Sequence, residues 1–525
     1  MNVQFFGAVR EVTGSMHLIR VQDESVLLDC GLIQGRRKES ETRNATFPVS
    51  PRLIQNVLLS HAHIDHSGRL PLFVKKGFSG KIFCTRATAD ACALLLLDSA
   101  HIQESDAAYL NYKTVRNAML QIKTQAKMHN ATKKDRDQIQ AVLKTGPHEL
   151  NLKSIDELLR QYRLDRVDPL YTIADAEAAI GALEGVPYRY VIPVGSHIHA
   201  EFFDAGHILG SAVVLVRISE NGNLKRVLFT GDLGRFDMPL LKNPTTLFPE
   251  EDRHIDLLIM ESTYGNREHE PGQDLKGRLK DILTETAGRG GTLLIPAFAY
   301  GRTQDILYRL HELYDEKAVP QVPIFVDSPL ASKITKVFAE HPEVFDDHAH
   351  KTFLEKGENP FRFDRVTFTE SVEESMALMR EEKPHIVIAG SGMCEAGRIL
   401  HHLRYKIHQP QHTILIVGYM AENTLGRRIQ DKGLEYEAAG RSGAPPVLKF
   451  LNKEYPLRAH VVRLGGFSAH ADKNELMRFL RETNVTFGKI AVVHGEEEQS
   501  LAMEQALHAE GFQAFVPQPG QSIDI

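Results

Sequence analysis

Residues 56–71, NVLLSHAHIDHSGRLP, decide how this chain reads. An apolar run from Val57 to Leu59 has the character of a buried strand and passes directly into His61-Ala62-His63-Ile64-Asp65-His66. Four metal-binding side chains fall within six residues, and imidazole nitrogen with carboxylate oxygen is a donor set suited to zinc and related divalent ions. In an extended or turning segment His61 and His63 point to one side, while Asp65 and His66 lie past the bend. One pair can then serve one metal and the other pair a second metal nearby. A polar loop of internally bonded histidines is the rival reading, which four ligand types at this spacing disfavour.

Working outward, more ligand types stand where strands end: His207 in DAGHILGSA, Asp232 in FTGDLG and His494 in VVHGEEE. A carboxylate directly after a buried strand and a glycine, as in Thr230-Gly231-Asp232, is well placed to bridge two cations, although alone it reads as a turn cap. The first 35 residues alternate as short strands, VQFFGAV, SMHLIRV and SVLLDCG, an antiparallel start to a sheet. After Gly265, helical runs pair with buried β-branched strands, as in KGRLKDILTETAGRGGTLLIPAF, the signature of βαβ units on a parallel sheet. The predicted plan is one α/β domain interrupted by a second, with the ligand-type residues confined to the first and last portions.

At 525 residues the chain has room for two to four domains. Its 42% hydrophobic and 25% charged residues are ordinary globular usage and exclude a disordered or fibrous protein. A net charge of −6 gives no strong overall positive field, so any site for a polyanion must be local. Residues 112–168 carry such an excess: twelve Lys/Arg against seven Asp/Glu, a local +5, with loosely helical apolar spacing broken at Gly146-Pro147. The cysteines, Cys30, Cys84, Cys92 and Cys394, form neither a C-x-x-C zinc signature nor a disulfide framework. Residues 1–14 have no basic segment followed by an apolar run, and the apolar stretch 91–97 is far short of the roughly 20 residues a membrane span needs. A soluble cytoplasmic protein without membrane attachment is the expectation.

In chain order, Asp29 in LLDCG, the HAHIDH segment, His207, Asp232, Glu261 in ESTYG, His470 in GGFSAHAD and His494 make a series. That series resembles the β-CASP nucleases of the metallo-β-lactamase superfamily, in particular prokaryotic relatives of the cleavage and polyadenylation factor endonuclease subunit. The FSAHAD form around His470 departs from the His-Ala-Ser-Gly-His form of RNase J. PAFAYGRTQDIL, VDSPLA and GSGMCEAGRILHHL are similar to the inserted β-CASP domain, so the likeness covers nearly the whole chain. It implies an α/β fold. A metallo-β-lactamase αββα sandwich from residues 1–265 and 466–525 would carry the basic helical insert, and a parallel-sheet β-CASP domain, 266–465, would interrupt it.

By the same resemblance, one zinc is held by His61, His63 and His207, a second by Asp65, His66 and His494, and Asp232 bridges them. Asp29 stands behind the ligands and orients a histidine, since a metal-bound imidazole needs an acceptor on its other nitrogen. Asp65, Glu261 and His470 form the catalytic set, with the Glu261–His470 pair delivering a proton to the leaving ribose oxygen. Arg302, Ser328, Ser391 and Gly392 are the candidates for substrate phosphate, the first as a guanidinium fork and the others at turns after parallel strands. His401 and His402 read as surface or packing residues.

The implied function is a zinc-dependent ribonuclease with two zinc ions per chain. It would hydrolyse phosphodiester bonds of single-stranded RNA in processing or decay, endonuclease favoured, with a homodimer as one open assembly. A β-CASP DNA nuclease is the first rival, but the position of His494 tends to be Val in that branch. A small-molecule hydrolase has no use for the inserted domain, and a non-catalytic RNA-binding scaffold would be expected to lose metal ligands. With the lactamase-like pattern beginning at residue 2, no KH-like extension ahead of it is expected, and RNA grip is expected to fall to the two domains or to the insert. The insert is expected to form two or three helices beside the cleft.

Overall fold

The computed structural model describes all residues except 36, 128–131, 147–148, 270–273, 356 and 358. Strands β1 (Asn2–Gly7), β2 (Met16–Val21) and β3 (Glu24–Leu28) pair antiparallel; β4 (Asn56–Leu58), β5 (Lys81–Thr85) and β6 (Leu183–Val186) then add in parallel. A second sheet is an antiparallel meander of β7 (Ile192–Pro193), β8 (Ile198–Asp204), β9 (Ala212–Glu220) and β10 (Asn223–Phe229), extended in parallel by β11 (His254–Glu261).

The chain then leaves to build a third sheet. It contains β12 (Leu293–Pro296), β13 (Ile324–Asp327), β14 (Val366–Phe368), β15 (Ile386–Ala389) and β16 (Thr413–Ile416). A small hairpin of β17 (Val447–Phe450) and β18 (Lys453–Pro456) precedes the last member, β19 (His460–Arg463). The order is β14-β13-β15-β12-β16-β19, and every pairing is parallel, as the helix–strand alternation predicts. On its return the chain supplies β20 (Thr486–Val493) beside β11, β21 (Ala514–Phe515) beside β20, and β22 (Ser522–Asp524) beside β1.

The first two sheets pack face to face. Val3, Phe5, Ile19 and Leu28 from one meet Phe202, Val214, Val227 and Ile259 from the other in a single inner core. Outside the second sheet, Leu476, Phe479, Met503 and Leu507 of the last two helices cover Phe203, Leu215 and Leu258. The outer face of the first sheet is covered by helices too, which completes the αββα sandwich. Its core is continuous with the core under the third sheet, joining Val57, Phe73 and Ile82 to Ile295, Leu307, Val326 and Phe338. The two α/β bodies are thus welded through shared apolar packing.

The basic insert differs from expectation. Its first helix does not begin near residue 112; one helix, Arg86–Lys127, runs 42 residues without a break. The reason is local: no glycine or proline occurs between residues 86 and 127, so nothing in the backbone stops propagation. Helices Lys133–Leu143 and Leu152–Gln161 fold back on its far half around Tyr112, Val115, Ile139, Leu143, Ile155 and Leu159. Pro147, part of the expected break, lies outside the described residues. The long helix starts beside the His207 loop, where Thr85 and Thr88 hydroxyls donate to the Gly210 carbonyl. At 1.5 Å per residue Tyr112 lies roughly 35 Å further along the helix from the His207 loop. Among the described residues no helix is long and apolar enough to cross a membrane.

Candidate metal centre and active site

Six strand ends converge at one edge of the sandwich. Asp29 follows β3, Ser60 and His61 follow β4, and the short helix Ile64–Ser67 after that strand presents Asp65 and His66. His207 follows β8, Asp232 follows β10, Glu261 ends β11 and His494 follows β20. Close approach at this edge needs Gly231: its φ is +51°, and a Cβ there would meet the Ser60 Cβ at 2.6 Å.

Asp232 sits between two groups of imidazoles. On the Oδ2 side, His61 Nε2 is 3.5 Å and His207 Nε2 3.6 Å away. His63 Nδ1 lies 3.0 Å from His61 Nε2 and 3.4 Å from His207 Nε2. On the Oδ1 side, His66 Nε2 and His494 Nδ1 are each 3.3 Å away. His494 Nε2 is 3.0 Å from His66 Nε2 and 3.6 Å from Asp65 Oδ2. The ligand atoms of His61, His63, His207 and Asp232 lie within 4.8 Å of one another, as do those of Asp65, His66 and His494.

The electrostatics suit a cation. Burial holds His61 and His207 well below the usual imidazole range and lowers His63 to about 4, so all three rings offer lone pairs. Burial would raise the Asp232 carboxyl, but His494, His66 and His61 outweigh it and keep the group ionised. Asp232 Oδ1 and His207 Nδ1 are buried without a hydrogen-bond partner. The three neutral imidazoles beside Oδ2, with ionised Asp232 whose Oδ1 is unpartnered, form a donor set that fits zinc, while Asp232 and Asp29 raise the His66 ring instead. Behind these side chains Asp29 binds His66 Nδ1 at 2.6 Å and accepts from the Ser60 amide at 2.8 Å. Ser60 Oγ bonds both Asp29 Oδ2 (3.0 Å) and His61 Nδ1 (3.1 Å), a link that sequence reading missed although Ser60 immediately precedes the HAHIDH motif.

Beside the imidazoles stands a second pair. His470 Nδ1 faces the carboxylate of buried Glu261, which also accepts from the Leu233 amide at 2.6 Å. Burial would lower the His470 ring, but Glu261, with Asp232 and Asp65, carries it up to about 9. The ring is therefore cationic at neutral pH, and its centroid lies 4.5 Å from that of His207.

Of the four phosphate candidates, Arg302 reaches the His470 loop, where its guanidinium lies 5.5 Å over the Phe467 ring and 3.1 Å from Asp305 Oδ2. Ser328 and Ser391 follow β13 and β15, at the same C-terminal edge of the third sheet as the loop after β12. Ser328 Oγ caps its helix by accepting from the Ala331 amide, and Ser391 Oγ accepts from the Glu395 and Ala396 amides. Gly392 packs against a ring: a Cβ there would come within 2.9 Å of Phe298. His402 is a buried packing residue, its Nε2 2.6 Å from Asp327 Oδ2, and His401 is exposed. Sequence reading also missed Tyr300, whose ring centroid lies 5.6 Å from that of His63.

Residues 9–84 match the metallo-β-lactamase superfamily, 303–429 the β-CASP domain and 454–517 a zinc-dependent metallo-hydrolase RNA specificity domain. The ribonuclease TTHA0252 of Thermus thermophilus is 33% identical over 525 residues, covering 100% of both chains. This chain belongs to the β-CASP family of the metallo-β-lactamase superfamily. Other β-CASP relatives are transcription termination factors named FttA. The Methanosarcina mazei protein is 27% identical over 97% of this chain and 69% of its own length. The Thermococcus kodakarensis protein is 28% identical over 96% and 68%. A crystal structure of a protein of unknown function from Enterococcus faecalis V583 matches 99% of both chains at a TM-score of 0.51 and 14% identity, a likeness of fold. As a β-CASP protein with this donor set, the chain is a metal-dependent hydrolase.

Proposed function

We propose that this β-CASP protein is a zinc-dependent ribonuclease that cuts internal phosphodiester bonds of single-stranded RNA. The observation that carries the reading is Asp232, one carboxylate whose two oxygens face separate imidazole groups. His61, His63 and His207 would hold one zinc, Asp65, His66 and His494 a second, with Asp232 shared between them. Bound zinc ions lower the pKa of water towards neutrality and offset charge that develops on a phosphate under attack. Everything else falls to the chain. Asp29 fixes the ring plane of His66 through its 2.6 Å bond to Nδ1. His470, kept protonated by Glu261, donates a proton to the leaving ribose oxygen. Arg302, half-sheltered beside the His470 loop, offers its fork to a neighbouring phosphate.

RNA as substrate is supported by the name of the ribonuclease matched along the full length and by the RNA specificity domain matched at residues 454–517. The test is a side-by-side assay on labelled single-stranded RNA and DNA, with 5′-triphosphate, 5′-monophosphate and circular RNA, with and without chelator. Cleavage of circular RNA that chelation abolishes is the expected result. Equal cleavage of DNA, or no RNA cleavage by zinc-loaded protein, would overturn the reading.

A further inference from the structure

Past β12 the chain reads Ala297-Phe298-Ala299-Tyr300, and its two rings have opposite surroundings. Tyr300 is 5% exposed, donates to the Leu209 carbonyl and packs against His63. Phe298 is 45% exposed. Two peptide links bound their separation, so the Phe298 Cα lies within about 7.6 Å of the Tyr300 Cα. The backbone that carries this exposed ring is therefore close to that of Tyr300, whose own ring reaches His63.

A lone exposed phenylalanine needs no explanation, but this one is held in place and has company. Its carbonyl accepts from the Thr303 amide and hydroxyl at 3.3 and 2.8 Å. One side of the ring rests on Gly392, the position in the Gly-Ser-Gly turn where any Cβ would collide with it. On the neighbouring strand, β16 leads into Tyr419, which is 61% exposed. The segments that follow two adjacent strands thus each carry an uncovered ring. Phe298 has no donor for a phosphate, and its π-face repels one. Every nucleobase, by contrast, has a face that stacks on it.

We propose that Phe298 is a stacking platform for an unpaired nucleobase of the substrate strand, close to the bond that is cut. The proposal rests on the ribonuclease reading and adds a base subsite to it. It assigns Gly392 to making room for this ring.

The experiment walks a single abasic residue along a cleavable oligoribonucleotide and measures KM and kcat at each placement. Wild-type protein should show KM raised roughly 5- to 100-fold at one placement near the cleavage site. Phe298→Leu should raise KM on intact RNA by a similar factor with kcat and zinc content retained, and should lose the sensitivity at that placement. Phe298→Tyr should keep the wild-type profile. A flat abasic profile in the wild-type protein, or an unchanged profile in Phe298→Leu, overturns the platform. Failure of the wild-type protein to cut intact RNA would instead sink the ribonuclease reading itself, so the two failures are distinguishable.

Discussion

His470 Nδ1 lies 3.2 Å from each carboxylate oxygen of Glu261, so the imidazole is centred on the carboxylate and not bonded to one arm of it. A symmetric, buried counter-charge on Nδ1 keeps the ring cationic, and the side chain remains 23% exposed. His470→Ala and Glu261→Gln should each lower turnover on RNA by roughly 10²- to 10⁴-fold, the usual worth of a positioned proton donor. Zinc content should be retained in both. If His470→Ala strips the metal as thoroughly as His63→Ala does, its role as donor is wrong.

The same pair sets a pH limit. His470 donates only when protonated, and its pKa is raised to about 9, so the active form persists below that pH and is lost as pH rises through it. Turnover should therefore fall on the alkaline side near pH 9. In Glu261→Gln the limb should move down towards the ordinary imidazole value of about 6.5. A pH–rate profile of both proteins reads this directly.

Asp232→Ala should lose most of both zinc ions and nearly all activity, because both imidazole groups lean on that carboxylate. Asp29→Ala should be milder, with zinc affinity lowered roughly 10- to 100-fold, since it removes the acceptor behind His66 while leaving every ligand in place. Competitive chelator titration separates the two outcomes.

In the third sheet, Asp327 is wholly buried and accepts from Arg398 (2.7 Å), Thr369 (2.6 Å), Ser375 (2.7 Å) and His402 (2.6 Å). Burial would raise this carboxyl, but His402, Thr369 and Ser375 hold it well below the carboxylate range. Its contribution is thus present above about pH 4 and drains away as pH falls below that value. Asp327→Ala should destabilise the protein by about 3–5 kcal/mol at neutral pH, because Arg398 loses its counter-charge and Thr369, Ser375 and His402 lose their buried partner. Denaturant unfolding at pH 7 and at pH 3 checks both statements, the difference between wild type and variant shrinking at the lower pH.

The projecting helices permit a separate test. Replacing Lys123, Lys127, Lys133 and Lys134 with Gln should leave zinc content and cleavage of a short oligomer unchanged, because all four follow Tyr112, itself roughly 35 Å along the long helix from the His207 loop. Affinity for long RNA should drop and its salt dependence flatten, as fewer counterions are released. An unchanged salt slope would leave the arm without a part in RNA binding.

The ligand-type residues were legible in the sequence because their signals are local. HAHIDH is a contiguous run, and His207, Asp232 and His494 each stand directly behind an apolar strand. The parallel third sheet was legible for the same reason, as its strands are short and the four central ones are buried on both faces. What only the tertiary structure decided depends on partners distant in the chain. That His66 meets both Asp29 and His494 requires strand ends 428 residues apart to reach one edge. That Asp327 is the buried centre of a polar network, that Phe298 is uncovered while Tyr300 is sealed, and that two short helices fold back on the far half of a 42-residue helix are likewise matters of packing. Composition and periodicity say which side chains tend to be buried. Where a charge or a ring ends up is set by which surfaces meet, and that is a property of the folded whole.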